Sequence, residues 1–240
     1  MRGSVLCSNS TERFAMLFKR NALGVPVHFL HIGKTGGTAI TEALSPVAEQ
    51  FGIVLHPHAT RLSDIPTSHC VFFFLRHPLS RFVSGFFSRL RRGAPRYNYA
   101  WSEAEAKAFS YFLSANDLAE ALSAAEPKIR THAHEAMSGI QHVRSTYRDW
   151  FSGEKELEAR LNSVVLLGFQ EKLHSDFELL KRLLNLPPTL LLPDDDVRAH
   201  RTPHHFDRKL TSLAERNLSE WYAEDIRFYE HCLQLRSQRL

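Results

Sequence analysis

Residues 27–38 constrain this chain more than any other part of its sequence. Residues 27–32 are four apolar residues and two histidines, and residues 33–38 consist only of glycine, lysine and threonine. A segment compatible with a helix, residues 39–44, follows directly. A strand, a loop of small residues and a helix, in this order, present backbone N–H groups and a helix N-terminus to a phosphate. We therefore interpret residues 33–38 as an anion-binding loop.

Short apolar segments recur along the chain and alternate with helical patterns. Strands are expected at residues 25–32, 52–55, 70–75 and 164–169, and helices at residues 38–44, 78–90, 173–186 and 210–235. This alternation predicts an α/β fold with a central, mostly parallel sheet flanked by helices. Because no linker or repeat interrupts the pattern, we expect a peripheral segment, residues 1–24, followed by a single domain, residues 25–240.

The middle of the chain is less regular. Ser102 and Glu105 have the spacing of a capping box, which predicts a helix whose apolar inner face includes Leu113. A second short helix is expected at residues 117–125, and the last long helix is expected to break near Ser219. Residues 126–150 carry no clear pattern, and residues 189–202 are interpreted as a loop.

The charge balance favours an anionic ligand. The formal net charge is +4, from 30 lysines and arginines against 26 acidic residues. No long basic tract is present, so we predict no nucleic-acid partner. The densest basic cluster, residues 89–96, is compatible with a solvated helix end or with a surface for an acidic sugar chain.

The glycines of residues 33–38 do not follow the commonest phosphate-loop pattern. That pattern has two glycines, one directly before the lysine and one five positions earlier. Gly33 matches the later glycine, but His28 occupies the position of the earlier one. Here the other glycines follow the lysine. Lys34 supplies a positive charge, Gly36 and Gly37 let the backbone approach a ligand, and Thr35 and Thr38 offer hydroxyl and amide donors. The simpler interpretation is a glycine-rich turn that carries a surface lysine.

A second polar cluster follows the third expected strand. Arg76 leaves the apolar segment directly, and Pro78 is suited to the first position of a helix. An arginine here can hold a phosphate with two hydrogen bonds. Ser84 lies eight residues further on, so its hydroxyl faces the same side of the helix as Ser80 and can join the same site. The alternative is an arginine that pairs with a carboxylate.

The two clusters together resemble the sulfotransferases that use 3′-phosphoadenosine 5′-phosphosulfate (PAPS). Residues 31–38 look like the family's loop for the 5′-phosphosulfate, and residues 75–86 are similar to its loop for the 3′-phosphate. The resemblance implies that Arg76 and Ser84 bind the 3′-phosphate and that Lys34 acts at the sulfate. It implies that Thr35, Gly36, Gly37 and Thr38 surround the 5′-phosphate. Position 33, often proline in related loops, is glycine here, and His77 stands where aspartate is common.

Within this superfamily the chain most resembles carbohydrate enzymes of the heparan sulfate 2-O-sulfotransferase type. Residues 55–59 look like the His-Gly-His segment that carries the catalytic base of those enzymes. The resemblance implies His58 as the base, with His56 as the second candidate, although both are also compatible with ordinary loop histidines. Residues 200–202 resemble the late basic loop that closes over PAPS. Cofactor-binding roles are thereby implied for Arg198, Arg201 and Thr202.

The resemblance implies an enzyme that moves a sulfuryl group from PAPS to a hydroxyl, by in-line transfer, and releases adenosine 3′,5′-bisphosphate (PAP). A saccharide is the expected acceptor, while a lipid-linked sugar or a small metabolite stays open. No metal site is expected. The alternatives are a phosphotransferase with an atypical phosphate loop and a non-catalytic protein that binds a nucleotide or glycan.

The cellular location is predicted from what the sequence lacks. Three widely spaced cysteines, Cys7, Cys70 and Cys232, form neither a disulfide framework nor a metal-binding spacing. No apolar run approaches the roughly 18 residues of a membrane-spanning helix, and no clear signal peptide precedes the first strand. We therefore predict no membrane span and a cytoplasmic bacterial protein, or a catalytic domain trimmed of its anchor.

Overall fold

The architecture is a parallel sheet covered by helices. The computed structural model describes residues 24–195, 197–198, 203 and 206–238. Its strands are β1 (Val27–Leu30), β2 (Ile53–Leu55), β3 (Cys70–Leu75) and β4 (Val164–Phe169). They form one sheet in the order β2-β1-β3-β4, and all three pairings are parallel. The predicted α/β class and parallel sheet are confirmed.

The helices of the described residues are numbered in chain order. They are α1 (Gly37–Leu44), α2 (Pro78–Leu90), α3 (Glu103–Tyr111), α4 (Ala115–Ala121), α5 (Pro127–Gly139), α6 (Glu154–Arg160), α7 (Leu173–Leu184), α8 (Ser212–Trp221) and α9 (Ala223–Ser237). Short 3₁₀ turns cover Leu62–Asp64, Tyr147–Asp149, Leu161–Ser163 and Gln170–Lys172.

The strand register brings the loops with the candidate site residues, which follow β1, β2 and β3, to one edge of the sheet. In the two pairings of β1, Phe29 lies opposite Leu55 of β2 and Phe72 of β3. Because the strands are parallel, the segments that follow β1, β2 and β3 all leave the sheet at its carboxyl edge, where ligands bind in such folds.

Side chains alternate between the two faces of the sheet, as strand geometry requires. Phe29 and Phe72 pack with α1 and α7 on one face, in a cluster that includes Ile40, Leu44, Phe177 and Leu180. Leu30 and Phe73 pack on the other face, in a cluster that includes Phe151, Phe228 and Cys232. Strand β3 is buried on both faces, which explains why its sequence is apolar throughout.

The middle of the chain forms a helical layer beside the sheet. Helices α2, α3, α4, α5 and α8 share a third apolar cluster, with members such as Phe82, Phe86, Phe109, Met137 and Leu218. Residues 126–150, whose sequence shows no clear pattern, contain α5 and the turn Tyr147–Asp149. This layer forms one wall of the cavity at the carboxyl edge of the sheet.

Several details of the helix predictions need correction. The capping box is present, since the Glu105 amide donates to the Ser102 hydroxyl at 3.2 Å, but α3 ends at Tyr111. The prediction that Leu113 faces inward is therefore wrong, and its side chain is 68% exposed. The break expected near Ser219 lies at Tyr222, between α8 and α9. The division into residues 1–24 and 25–240 stays a prediction, since residues 1–23 lie outside the described part.

Within the described residues, no helix is both long and apolar enough to span a membrane.

Candidate active site

A cavity of about 1150 Å³ opens at the carboxyl edge of the sheet. Every strand sends a residue from its carboxyl end into the lining: Lys34 after β1, His58 after β2, Arg76 after β3 and Gln170 after β4. The helical layer supplies the opposite wall. The sequence-predicted clusters, which are far apart along the chain, therefore share one cavity.

The loop after β1 presents its lysine from a strained backbone. Lys34 has a φ of 68°, which L-residues other than glycine seldom adopt, and its side chain lines the cavity with Gly36, Gly37 and Thr38. Thr35 differs from its neighbours: it is fully buried, and its hydroxyl donates to the Ile32 carbonyl at 2.9 Å. The Thr35 side chain thus stabilises the turn and does not reach the cavity.

Arg76 is held firmly against this loop. Its Nε donates to the Ser80 hydroxyl at 2.9 Å, and its Nη1 donates to the Lys34 carbonyl at 3.4 Å. Its amide donates to the Tyr147 hydroxyl at 3.0 Å, and that hydroxyl in turn donates to the Arg76 carbonyl. Ser84, one helical turn beyond Ser80, lines the cavity. Arg76, Lys34 and Ser84 therefore belong to one surface.

A second arginine supports the loop from behind. Arg81 is 2% exposed, and its Nε donates to the Gly33 carbonyl at 3.0 Å, directly before Lys34. Its Nη1 donates to the Ser145 carbonyl at 2.7 Å. The guanidinium lies 5.4 and 5.3 Å from the ring centroids of Tyr147 and Trp150. Arg81 therefore connects the anion-binding loop to the wall of the cavity that follows α5.

The electrostatics of the cavity suit an anion. Burial, followed by the positive charges of Arg91 and Arg76, lowers the pKa of Lys34 to about 7. A lysine crowded by cations loses its proton readily, and a bound anion reverses this effect. The pKa of Lys34 therefore rises when a phosphate or sulfate ester occupies the cavity.

The orientation of His58 is fixed by two hydrogen bonds. Its Nδ1 lies 3.0 Å from the His31 carbonyl oxygen, and a carbonyl only accepts, so the proton is on Nδ1 and the lone pair is on Nε2. The Trp150 indole donates to the His58 carbonyl at 2.8 Å. The rings of His31 and His58 are 4.0 Å apart. Burial lowers the pKa of His58 and outweighs the hydrogen bond to His31, and the charge of Lys34 lowers it further.

The structure separates His56 from His58. His56 does not line the cavity, and its Nε2 lies 2.7 Å from Nδ1 of His28 on β1. Nε2 of His28 is in turn 2.9 Å from Nδ1 of His69. Burial, followed by the neighbouring His56 and His69, lowers the pKa of His28 to about 4. His56 belongs to this chain of hydrogen-bonded rings beside the sheet.

The late basic residues are only partly described. Arg198 is exposed, and its guanidinium pairs with Glu42 of α1 at 3.1 Å. Arg201 and Thr202 lie outside the described residues. Arg208, which the sequence did not single out, lines the cavity.

The basic cluster at residues 89–96 is only in part a solvated helix end, because Arg92 is exposed but Arg89 is buried. Arg89 is 4% exposed and donates from Nε and Nη2 to the two carboxylate oxygens of Glu105, at 2.6 and 2.7 Å. Arg96 pairs with Glu42 at 2.9 Å. The interpretation as a free basic surface is therefore wrong for Arg89, whose charge is balanced by Glu105, while Arg96 shares the Glu42 carboxylate with Arg198.

Sequence reasoning missed several residues of the cavity wall, chiefly His31 and His142. His31 directly follows β1, and its ring contacts that of His58. His142 follows α5, in the stretch without a recognisable pattern, and its φ is 68°. No local signal marks His142, because its approach to the cavity depends on tertiary packing against Gly85 of α2.

The fold and the site define an α/β protein whose anion-binding loop and second basic cluster face one cavity beside an oriented histidine. The sequence profile of the sulfotransferase family matches residues 25–231, from β1 into α9. The chain belongs to this family, which supports sulfuryl transfer as its reaction class. A comparison with curated proteins yields no match. The assignment confirms the superfamily inferred from the two loop motifs, but it does not extend to the class of acceptor.

Proposed function

We propose that the protein is a PAPS-dependent sulfotransferase that acts on a hydroxyl of a saccharide. The observation that carries this proposal is the meeting of two separate anion-binding groups in one cavity. Lys34 and the loop around it suit a phosphosulfate, while Arg76 and Ser84 suit a second phosphate. A nucleoside triphosphate has all its phosphates in one chain on the 5′-oxygen of the ribose. PAPS instead carries a phosphosulfate on the 5′-oxygen and a separate phosphate on the 3′-oxygen.

The residues present fit such a donor. Burial and then the neighbouring charges of Arg91 and Arg76 lower the pKa of Lys34, and an anionic ligand relieves this crowding of positive charge. Arg208, which lines the same cavity, adds a further cation near the site. When bound, PAPS supplies an activated sulfuryl group whose leaving group is the phosphate of PAP.

The chain's own side chains then have distinct tasks. Nε2 of His58 accepts the proton of the acceptor hydroxyl, so that the oxygen can form its bond to sulfur. As the bond from sulfur to the departing phosphate oxygen breaks, the Lys34 ammonium offsets the charge that develops there. The loop and Arg76 hold the donor in line, because transfer of this kind depends mainly on positioning and on stabilised charge.

Aromatic side chains in the cavity lining support a saccharide as the proposed acceptor. Tyr97, Tyr99 and Trp101 line the cavity, and Tyr99 is 59% exposed at the opening. Aromatic walls with a few polar groups are typical of sites for small organic ligands. The resemblance of residues 55–59 to carbohydrate sulfotransferases points to the same class.

The test of the proposed function is transfer of labelled sulfate from PAPS to a panel of glycans and small alcohols, in the presence of a metal chelator. We expect transfer to at least one sugar. We also expect PAP to raise the melting temperature more than ATP with magnesium does. Protection by ATP with magnesium alone would favour a phosphotransferase, and PAP binding without transfer would favour a non-catalytic binding protein.

The role of Arg76 can be tested with two nucleotides. Arg76→Lys removes the planar guanidinium but keeps the charge, so we expect PAP to bind about 10- to 100-fold more weakly, as for the loss of a charge-assisted hydrogen bond. Binding of adenosine 5′-monophosphate, which lacks the 3′-phosphate, should change little. Titration calorimetry measures both, with Arg61→Lys outside the cavity as the control. Equal weakening of both nucleotides would contradict a role at the 3′-phosphate.

The dependence of transfer on pH reports both proposed groups. His58 must be neutral to accept a proton, and burial lowers its pKa, so the acid limb of kcat/KM should have its midpoint below pH 6.5. Lys34 must be charged, so kcat/KM for PAPS should fall as the pH rises through about 7. Bound donor raises the pKa of Lys34, and the basic limb of kcat should therefore lie at higher pH. Coincident basic limbs in kcat and kcat/KM would contradict the assignment of Lys34.

A further inference from the structure

His142 lines the cavity beside the anion-binding loop, where a Cβ on Gly33 would lie 3.6 Å from its Nδ1. It follows α5, and its ring centroid lies 6.2 Å from that of His58, with the rings edge to face. Its backbone is left-handed, with a φ of 68°. For a residue that is not glycine, this backbone conformation is strained. The surrounding structure therefore holds His142 in its position.

His142 packs closely against α2 at Gly85. A Cβ on Gly85 would lie 3.1 Å from Cβ of His142 and 3.3 Å from its carbonyl carbon and oxygen, closer than side chains normally pack. Gly85 follows Ser84, which lines the cavity. Helix α2 contains Ser80, which binds Arg76, and also Gly85. The missing side chain of Gly85 leaves the space that His142 occupies.

Within the described part of the chain, the His142 imidazole has no hydrogen-bonding partner. Among the described residues it makes ring contact with His58, and its nitrogens take part in no hydrogen bond with them. Burial, followed by the charge of Lys34, lowers the pKa of His142 well below its usual range. A neutral imidazole has one donor and one acceptor nitrogen, so it can bind a hydroxyl in either sense.

We propose that His142 binds the acceptor, by a hydrogen bond to the hydroxyl adjacent to the one that is sulfated. This inference rests on the proposed function and names its substrate more narrowly. The ring centroids are 6.2 Å apart, so the two imidazoles are close enough to bind two oxygens on neighbouring carbon atoms, each through a hydrogen bond of about 2.8 Å. The acceptor is then a vicinal diol, as sugar rings are, and His142 selects for it.

The experiment compares methyl glycosides with their monodeoxy analogues as acceptors of sulfate from PAPS. His142→Gly removes the imidazole without backbone strain, because glycine tolerates a positive φ. His142→Asn keeps a hydrogen-bonding group and a side chain that tolerates this conformation. His134→Gly, on the exposed side of α5, is the matched control. Melting temperatures and PAP affinity report whether each variant is folded and binds the donor.

The wild-type protein should prefer the diol to the analogue that lacks the neighbouring hydroxyl by about 10-fold or more, as for a site that loses a polar partner. His142→Gly should raise KM for the diol and abolish this preference, while His142→Asn retains part of it. A preference that survives in a folded His142→Gly protein would overturn the inference. Transfer to alcohols but to no glycoside would also overturn it, and would leave the PAPS-dependent reaction standing.

Discussion

Lys34→Met should lose transfer activity by about 10²–10³-fold or more, the loss typical when a group that stabilises developing charge is removed. Methionine keeps the length of the side chain and removes the ammonium, which is the group proposed to act on the departing phosphate. PAP binding should weaken much less, because the backbone of the loop, Arg76 and Ser84 remain. Labelled-sulfate transfer and calorimetry with PAP separate these two effects.

Lys107→Met is the control for this substitution. Lys107 lies on α3, is about half exposed and pairs with Glu135, away from the cavity. Its replacement should leave transfer and PAP affinity unchanged. If Lys34→Met kept turnover within about threefold of the wild-type rate, the proposal that Lys34 stabilises charge on the departing phosphate would be wrong.

His58→Asn should reduce kcat by about 10²–10⁴-fold, the usual contribution of a general base. Asparagine is chosen because its amide nitrogen can replace Nδ1 and donate to the His31 carbonyl, so the local fold is kept while the basic Nε2 is lost. The acid limb of the pH profile should disappear with it. Melting temperature and PAP affinity should stay close to their wild-type values.

His56→Asn makes the comparison decisive. His56 lies in the chain of rings with His28 and His69, outside the cavity lining, so its replacement should change kcat far less than His58→Asn does. A protein in which His56→Asn is inactive and His58→Asn is nearly normal would transfer the role of base to His56.

The strands and the positions of the two anion-binding clusters could be predicted from the sequence because local signals determine them. Strand β3 has the predicted bounds, 70–75, since a continuous apolar run is what burial on both faces requires. The end of this apolar run at Leu75 then predicts that Arg76 lies at the carboxyl edge of the sheet and that a helix begins at Pro78. Parallel pairing explains why clusters so far apart in sequence meet at one edge of the sheet.

The orientation of individual side chains could not be predicted in this way. His56 and His58 are two residues apart, but the His56 amide still donates to the Phe29 carbonyl of the sheet at 3.3 Å, whereas His58 lies beyond Pro57. Thr35 turns inward because the Ile32 carbonyl needs a donor. His142 depends on contacts between helices that are distant in the chain. These outcomes are decided by tertiary packing, which has no local pattern.

Gly37 shows that a glycine in a phosphate loop can be required by the protein's own interior. A Cβ at this position would lie 2.1 Å from the ring of His31, the residue whose carbonyl orients His58. A side chain at residue 37 would therefore displace the ring of His31, the residue that orients the proposed base His58, even when no nucleotide is bound. If the proposed roles hold, the same glycine links the donor-binding loop to the proposed base, so we expect a substitution there to affect both PAP affinity and kcat.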